Sequence, residues 1–131
     1  LEIDPNSPHA QSNLGIALNH QGRHADALAP LRRALQLRPR WVAPKVYLGV
    51  ALVETDQLDS AEPLLQQGTT ATGVEEALAY LYLGKLYALR GEREKAIAAW
   101  ENYLRRDPDS LNAVNVREML IRLRSIGSNR P

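Results

Sequence analysis

The histidines of this chain come nearest, by type and spacing, to metal chemistry. His20 and His24 stand four positions apart, a spacing that places two imidazoles on one face of a helix. Gly22 lies between them, however, and predicts a helix break, and no carboxylate completes a set of ligands. The chain has no cysteine, so neither thiolate sites nor disulfides are available. We therefore expect solvated turn histidines, no metal site and no cofactor.

No other group of residues points to catalysis. The chain has no glycine-rich phosphate loop, no nucleophile elbow and no paired acids in an evident pocket. Glu75 and Glu76 are adjacent acids, but they stand at the predicted start of a helix, where they favour the helix dipole. The arginine pairs at 32–33 and 105–106 fall late in predicted helices, where cations are favoured in the same way. The sequence therefore predicts a protein that is not an enzyme.

Composition and charge exclude further classes. The chain has 131 residues, 44% of them hydrophobic, which is enough for one domain with a continuous core. Its net charge of +1 gives no drive toward nucleic acid or anionic lipid. No apolar run approaches the roughly 18 residues of a membrane helix. We expect no nucleic-acid binding and no membrane insertion, and these properties are compatible with any compartment.

The elements that must position a site repeat along the chain. Three Leu-Gly pairs stand in register, with Gly15, Gly49 and Gly84 spaced 34 and 35 residues apart. Twelve residues after each glycine comes an alanine, and four residues later a large apolar side chain. These pairs are Ala27 with Leu31, Ala61 with Leu65, and Ala96 with Trp100. A fixed period of this length is typical of stacked copies of one supersecondary unit.

Each unit is predicted to be a pair of helices, and the helix ends have recognisable signals. Ser7, Ser110 and either Asp59 or Ser60 are expected to cap helices, and Thr72 to form a capping box with Glu75. Pro30 lies inside a predicted helix and can kink it. The last helix is expected to stop at Gly127. The predicted divisions are 1–5 for the remnant of a preceding repeat, 8–39, 42–68 and 73–108 for three repeats, and 110–126 for a capping helix.

The three glycines imply a close approach between helices. Glycine inside a helix costs about 0.5 to 1 kcal/mol relative to alanine, so its recurrence in register needs a packing reason. We expect a side chain at these positions to push the facing helix away. The alanine of the second helix is small for the same reason, and the large residue four positions on is expected to fill the space between adjacent units.

The joint pattern resembles the tetratricopeptide repeat, a helix-turn-helix unit of 34 residues, over about residues 8–108. The Leu-Gly pair and the small-then-large pair are present in all three units, and the closing proline is present at Pro39 and Pro108. The chain departs from the family pattern at Gln11 and Lys45, where an early aromatic residue is usual. The resemblance implies an all-α, right-handed α-solenoid of about three repeats with a C-terminal capping helix.

In this family the first helices line a concave side that commonly holds a peptide. The resemblance carries the groove positions onto this chain by register. The predicted partner-binding residues are Ser12, Asn13, Ile16, Asn19, His20, Val46, Tyr47, Val50, Glu54, Leu81, Tyr82 and Lys85. The middle of this predicted surface is apolar, with Tyr47 and Tyr82 as amphipathic anchors, and such a patch is typical of an interaction site.

One binding mode of the family is not expected here. Chaperone-binding members hold an acidic C-terminus with a cluster of basic and amide side chains. The equivalent positions of this chain are Ser12, Ile16, Tyr47, Leu78 and Tyr82, and none of them is basic.

We therefore predict a protein–protein interaction module that binds a peptide or helix, as a scaffold or adaptor in a larger protein. The opening Leu1-Glu2-Ile3-Asp4-Pro5 is similar to the strings that close later units, so we expect an excised piece of a longer chain. One alternative is a structural spacer or oligomerisation segment, with possible self-association. Another is an accessory domain that presents substrate to an enzyme. The partner's identity is not indicated.

Overall fold

The computed structural model describes residues 4–128, with side chains for residues 4–126. Within this range the chain forms α-helices and no strand. The helices are α1 Pro8–His20, α2 His24–Leu37, α3 Val42–Glu54, α4 Leu58–Gly68, α5 Val74–Leu89, α6 Arg93–Arg106 and α7 Leu111–Ser128. The predicted all-α helical-repeat fold is confirmed. Of the predicted remnant at 1–5, residues 1–3 lie outside the described residues.

Serine caps begin the first and last helices, as predicted. The Ser7 hydroxyl accepts a hydrogen bond of 3.1 Å from the backbone N–H of Ala10. The Ser110 hydroxyl accepts one of 3.1 Å from the N–H of Ala113. Each bond satisfies one of the backbone donors that a helix leaves unpaired at its N-terminus.

The predicted caps of α4 and α5 are wrong. α4 begins one residue before Asp59, so Asp59 and Ser60 lie in its first turn, and its N-cap Gln57 makes no side-chain capping bond. α5 is preceded by Gly73 rather than by Thr72, and Gly73 has φ +74° and ψ −134°. Because side chains are strained at this φ, a glycine leads into the helix and no capping box forms.

Each hairpin reverses through one residue in the left-handed region. In the first and third hairpins this residue is a glycine, Gly22 with φ +77° and Gly91 with φ +76°. The middle hairpin places Asp56 there, with φ +62°. In the middle hairpin the next N–H, that of Gln57, reaches back 2.8 Å to the carbonyl of Leu52, which closes the end of α3.

The helix glycines are close-contact points against the second helix of their own hairpin, as predicted. A Cβ atom built on Gly15 would lie 2.3 Å from Leu31 Cγ, and one on Gly49 would lie 2.7 Å from Leu65. One on Gly84 would lie 2.1 Å from the Trp100 indole nitrogen. The large residue of each second helix therefore sits on the glycine of its own hairpin. These residues also belong to buried clusters that continue across the hairpins, and our expectation that they fill the space between units stays a prediction.

The buried side chains form two clusters that meet on α5. The first joins the two N-terminal hairpins to α5 and includes Leu31, Leu52 and Leu65. The second joins α5, α6 and α7 around Trp100 and Tyr103. Both clusters are continuous across helices of different hairpins, so each hairpin is stabilised by its neighbours.

Two features of the middle of the stack are the proline inside α2 and the joint between α4 and α5. α2 is one helix from His24 to Leu37 and continues through Pro30, which is buried. The joint between α4 and α5 is closely packed at its start, because a Cβ atom on Gly68 would lie 2.4 Å from Val46 Cγ2 and 2.9 Å from Ala79 Cβ. Gly68 therefore lets α4 approach both α3 and α5.

The last helix packs on the third hairpin through one face. Ala113, Val116 and Leu120 are buried there, at 3% exposure or less. The helix continues through Gly127 to Ser128, so the predicted stop at Gly127 is wrong. The opposite face of α7 is mixed, with exposed Glu118 and Arg122 beside exposed apolar residues, whereas a capping helix usually has a polar outer face. Leu111 and Ile121 there are 79% and 63% exposed.

Candidate functional site

The first helices of the hairpins, α1, α3 and α5, carry all the predicted partner-binding residues, but four of these residues are buried. They are Ser12, Asn19, Val46 and Val50. Val46 is fully buried against Gly68 and offers no surface to a partner. The register places residues correctly along the helices, whereas the packing of α3 against its neighbours removes its valines from solvent.

Asn19 is a structural residue in this arrangement. Its side-chain amide donates a 2.9 Å hydrogen bond to the backbone carbonyl of Tyr47, which ties α1 to α3. Its Oδ1 atom lies 2.9 Å from Nδ1 of His24. The amide nitrogen thus joins the first hairpin to the second, and the amide oxygen contacts the start of α2 within the first hairpin. A buried amide satisfied in this way stabilises one arrangement of the helices.

The two histidines lie on different helices at the turn of the first hairpin. His20 ends α1 and is exposed, while His24 begins α2 and contacts Asn19. Among residues 4–126, no group of three or more histidine, cysteine, aspartate or glutamate side chains is arranged to hold a metal ion. No helix in the described part of the chain is long and apolar enough to cross a membrane.

Tyr47 and Tyr82 line a small cleft between the first helices. The cleft has a volume of about 100 Å³. It is lined by Asn19, His20, His24, Tyr47, Val50, Leu78 and Tyr82. Burial, and secondarily the charge of Glu75, raises the pKa of the Tyr47 phenol, and burial with the charge of Glu54 raises the pKa of Tyr82. Both hydroxyls therefore stay protonated at neutral pH and can donate hydrogen bonds.

A larger cleft lies between α5 and α7. Its volume is about 300 Å³, and Trp100 lines it together with side chains of both helices. The other lining residues are Leu81, Tyr82, Lys85, Asn112, Asn115, Val116 and Met119. The cleft lies where the backbones of α5 and α7 stay more than 8 Å apart between Cα atoms, whereas α1 and α3, and α3 and α5, approach more closely than this. Tyr82 borders both clefts, and we call the surface from His20 through Tyr47, Leu78 and Tyr82 to Met119 the first-helix groove.

The predicted charges on the groove neutralise each other. Lys85 forms an ion pair with Glu54 across α3 and α5. The Lys85 ammonium also lies 5.7 Å from the centre of the Tyr82 ring, within the range of a cation–π interaction. The groove therefore offers aromatic and aliphatic surface with a locally neutral edge.

The sequence reasoning missed the α7 side of this groove. Asn115 and Met119 lie where the repeat register of Leu81 and Lys85 continues after one more period, so a signal was present. It was overlooked because α7 was interpreted only as a cap. Asn13 and Ile16, by contrast, are predicted residues that do lie at the surface of α1.

Comparison with known proteins agrees with this architecture. One model described as "Tetratricopeptide repeat" matches residues 18–82, and a second with the same description matches residues 78–110. Together they cover residues 18–110, from the end of α1 through α6. The chain belongs to the tetratricopeptide repeat family. The predicted resemblance is thereby confirmed.

Relatives within the family cover this chain to different extents. Tetratricopeptide repeat protein 28 of Homo sapiens is 37% identical over 65 residues, which are 50% of this chain and 3% of that protein. The chain thus spans a very small part of this curated relative. A crystal structure of MamA protein is 26% identical and superimposes with a TM-score of 0.77, covering 93% of this chain and 66% of that one.

A further neighbour shows the same fold at lower sequence identity. The first tetratricopeptide domain of Spaghetti (RPAP3), bound to an HSP90 peptide, superimposes with a TM-score of 0.77 over 98% of this chain and 99% of that chain. The two sequences are 15% identical, so the comparison concerns the fold alone.

Proposed function

We propose that this tetratricopeptide domain holds a segment of a partner protein in the first-helix groove. The observation that carries the proposal is that the two clefts of the groove share Tyr82. A bound segment can therefore fill both clefts while it lies across α3, α5 and α7. Half-buried tyrosines of this kind are frequent hot spots, because they bury apolar area and keep a polar end.

The chemistry of the groove favours a partner with apolar anchor residues. The clefts are walled mainly by Leu78, Leu81, Tyr82 and Met119. Asn112 and Asn115 stand exposed at the edge of the larger cleft and can hydrogen-bond a peptide backbone. The volume of about 300 Å³ is sufficient for one large aliphatic or aromatic side chain.

The proposed binding of a partner segment differs from recognition of an acidic C-terminus. The one lysine of the predicted set, Lys85, is already paired with Glu54, and its neighbour on the groove is the neutral Tyr82. Binding to an acidic peptide would have to break this pair without a second cation to replace it. We therefore propose a partner segment whose anchors are uncharged.

Selection from a displayed library of random peptides tests this function. Peptides that bind the chain are synthesised, and their dissociation constants are measured for the wild type, Tyr82→Ala and Tyr80→Ala. Tyr80 is a matched control, because it lies on the same helix but packs beside Arg106, whose guanidinium is 4.4 Å from its ring. We expect Tyr82→Ala to weaken binding about tenfold or more, as for a hot-spot aromatic residue, and Tyr80→Ala to leave it almost unchanged.

Two outcomes would move the function elsewhere. Full binding by Tyr82→Ala would place the site off the first-helix groove. Failure to select any binder would favour a spacer or oligomerisation segment. If selected binders proved to be fragments of an enzyme's substrate, a substrate-presenting accessory domain within a larger enzyme would be preferred. Throughout, the role assigned to this chain is binding and not catalysis.

A further inference from the structure

A second groove lies on the other side of α7, between α6 and α7. It has a volume of about 460 Å³, and its apolar floor is formed by Leu104, Leu120 and Ile121. Arg105, Arg117 and Arg124 stand along it. We call it the terminal groove. It shares no residue with the first-helix groove, so it is a separate surface from the proposed peptide site.

The terminal groove exposes a position that the first two hairpins bury and that the third hairpin, at Tyr87, leaves partly buried. Ile121 stands three residues after Glu118, as Leu18 and Leu52 stand three residues after their helix glycines. Leu18 and Leu52 are 9% and 2% exposed, whereas Ile121 is 63% exposed. Val114, two turns earlier on the same side of α7, is 50% exposed. This face of α7 is therefore built like a helix-packing face and has no helix on it among the described residues.

A second helix of another repeat does not fit this face. In each complete hairpin a glycine admits the large residue of the second helix, and at Gly49 even a Cβ atom would lie 2.7 Å from Leu65. On α7 the same position carries Glu118, which is exposed. A helix docking here must stay further away and must tolerate polar side chains at the contact.

The charges of the terminal groove select the docking helix. Arg105 donates to the side-chain oxygen of Asn102 at 2.8 Å, and Arg117 donates to the backbone carbonyl of Pro108 at 2.6 Å, so these bonds leave both positive charges uncompensated. Arg124 pairs with Glu101 at 2.7 Å. Three arginines and one glutamate on the groove favour an acidic partner. A second copy docked by the same surface would bring arginine against arginine.

We propose that the terminal groove binds an amphipathic helix of another protein, with apolar residues at 3- and 4-residue spacing and acidic residues on both flanks. The apolar stripe of that helix covers Ile121, Leu104 and Val114, and its acids pair with Arg105 and Arg117. A concave groove between two helices suits the ridge of a helix better than the flat surface of a bilayer.

The probe for this proposal is a labelled helical peptide of about 18 residues, or five turns, with leucines at 3- and 4-residue spacing flanked by glutamates. Fluorescence anisotropy measures its binding to the full chain, in parallel with a second peptide that has lysine at every glutamate position. We expect the glutamate peptide to bind and the lysine peptide to bind at least about tenfold more weakly, since complementary charge sets partner choice. Added salt should weaken binding of the glutamate peptide.

Matched variants locate the site. Arg117→Glu and Arg105→Glu, on different helices, should each weaken binding about tenfold, because a groove cation is replaced by a repelling charge. Arg122→Glu makes the same charge change at an exposed position of α7 outside the groove and should leave affinity within about twofold. Far-UV circular dichroism and thermal melting check that each variant is folded.

Four results would overturn the proposal. The first two are that the glutamate peptide does not bind up to millimolar concentration, or that the two peptides bind equally. The third is that Arg122→Glu and Arg117→Glu lose the same affinity for the glutamate peptide. The fourth is a dimer in sedimentation that Arg117→Glu dissociates. Strong binding to vesicles of anionic lipid that Arg117→Glu removes would assign the groove to a membrane surface instead.

Discussion

At the scale of single residues, the side chains that pack on the helix glycines differ in stiffness. Gly84 faces the rigid indole of Trp100, 2.1 Å from the position of an added Cβ atom, while Gly49 faces the flexible Leu65 at 2.7 Å. An alanine gains roughly 1 kcal/mol of helix propensity, whereas overpacking of a core costs about 1 to 3 kcal/mol. We expect Gly84→Ala to lower the free energy of unfolding by about 1 to 2 kcal/mol and Gly49→Ala by less. Urea denaturation measures both.

We expect Trp100 to increase the loss of stability of Gly84→Ala relative to Gly49→Ala, because its indole N–H also donates a 3.0 Å hydrogen bond to the carbonyl of Leu81. Displacing the ring removes this bond as well as the packing. If Gly84→Ala were as stable as the wild type, the proposed close contact between α5 and α6 would be wrong.

Glu62 is expected to make stability depend on pH. Hydrogen bonding by Arg90, at 2.7 Å, holds the pKa of the Glu62 carboxyl below its usual range. A lowered carboxyl pKa adds stability in full above the unfolded-state pKa, about 4.5, and this stability is lost as the pH falls through the lower pKa of the folded protein. Glu62→Gln should therefore lower the melting temperature at neutral pH and have little effect near pH 3.

The control for this prediction is the second carboxylate on the same guanidinium. Asp59 also pairs with Arg90, at 2.5 Å, but its side chain is fully exposed. Because water and salt screen exposed pairs, Asp59→Asn should change the melting temperature less than Glu62→Gln at every pH. Equal effects of the two variants would contradict the role assigned to Glu62.

At the scale of the helices, we expect the serine caps to contribute to the stability of the protein. We expect no such contribution from Thr72, whose predicted cap is wrong. Ser7→Ala and Ser110→Ala each remove a capping bond of 3.1 Å, which typically costs about 0.5 to 2 kcal/mol of stability. Thr72→Ala is the matched change before α5 and should cost almost nothing, because α5 has no side-chain capping bond. Chemical denaturation of the three variants provides the comparison. If Thr72→Ala lowered the stability as much as Ser7→Ala, the predicted capping box at Thr72 would be supported after all.

The helix ends show why local patterns were only partly predictive. Ser7 and Ser110 directly precede their helices, and a short side chain there reaches the free N–H groups whatever the rest of the fold does. At α4 and α5 the sequence offers several adjacent candidates, among them Asp59 and Thr72. Packing of Leu58 and the left-handed turn at Gly73 set where those two helices begin, and neither is a local property of the capping residue.

At the scale of the whole molecule, the helices differ in how many neighbours support them. The backbone of α3 approaches those of α1, α2, α4 and α5 within 8 Å between Cα atoms, whereas among the described helices the backbone of α7 comes this close to α6 alone. In a repeat stack, local opening is governed by nearest-neighbour interfaces. We expect the amides of α7 to exchange with solvent deuterium at least tenfold faster than those of α3, a difference of about 1.4 kcal/mol in opening free energy. Mass spectrometry of the peptic peptides measures this, and equal protection of α3 and α7 would contradict it.

The same exchange experiment distinguishes the two grooves. A ligand in the terminal groove contacts α6 and α7 and should slow exchange in α7 most. A ligand in the first-helix groove should also protect α3 and α5, where Tyr47 and Tyr82 lie. Protection of α1 alone by either ligand would fit neither proposal.

The sequence by itself determined the helix pairs and their order, because a period of 34 to 35 residues and the Leu-Gly register are set by contacts within each hairpin. It also placed Tyr47 and Tyr82 on neighbouring first helices. The tertiary structure decided which groove residues remain accessible. Contacts between hairpins bury Val46 and Asn19, and Met119 lines the groove. It also decided that Val114 and Ile121 of α7 stay exposed within the described part of the chain. The burial of Val46 and Asn19 follows from packing between hairpins, which depends on the angle and distance of whole helices and leaves no periodic signal in the sequence.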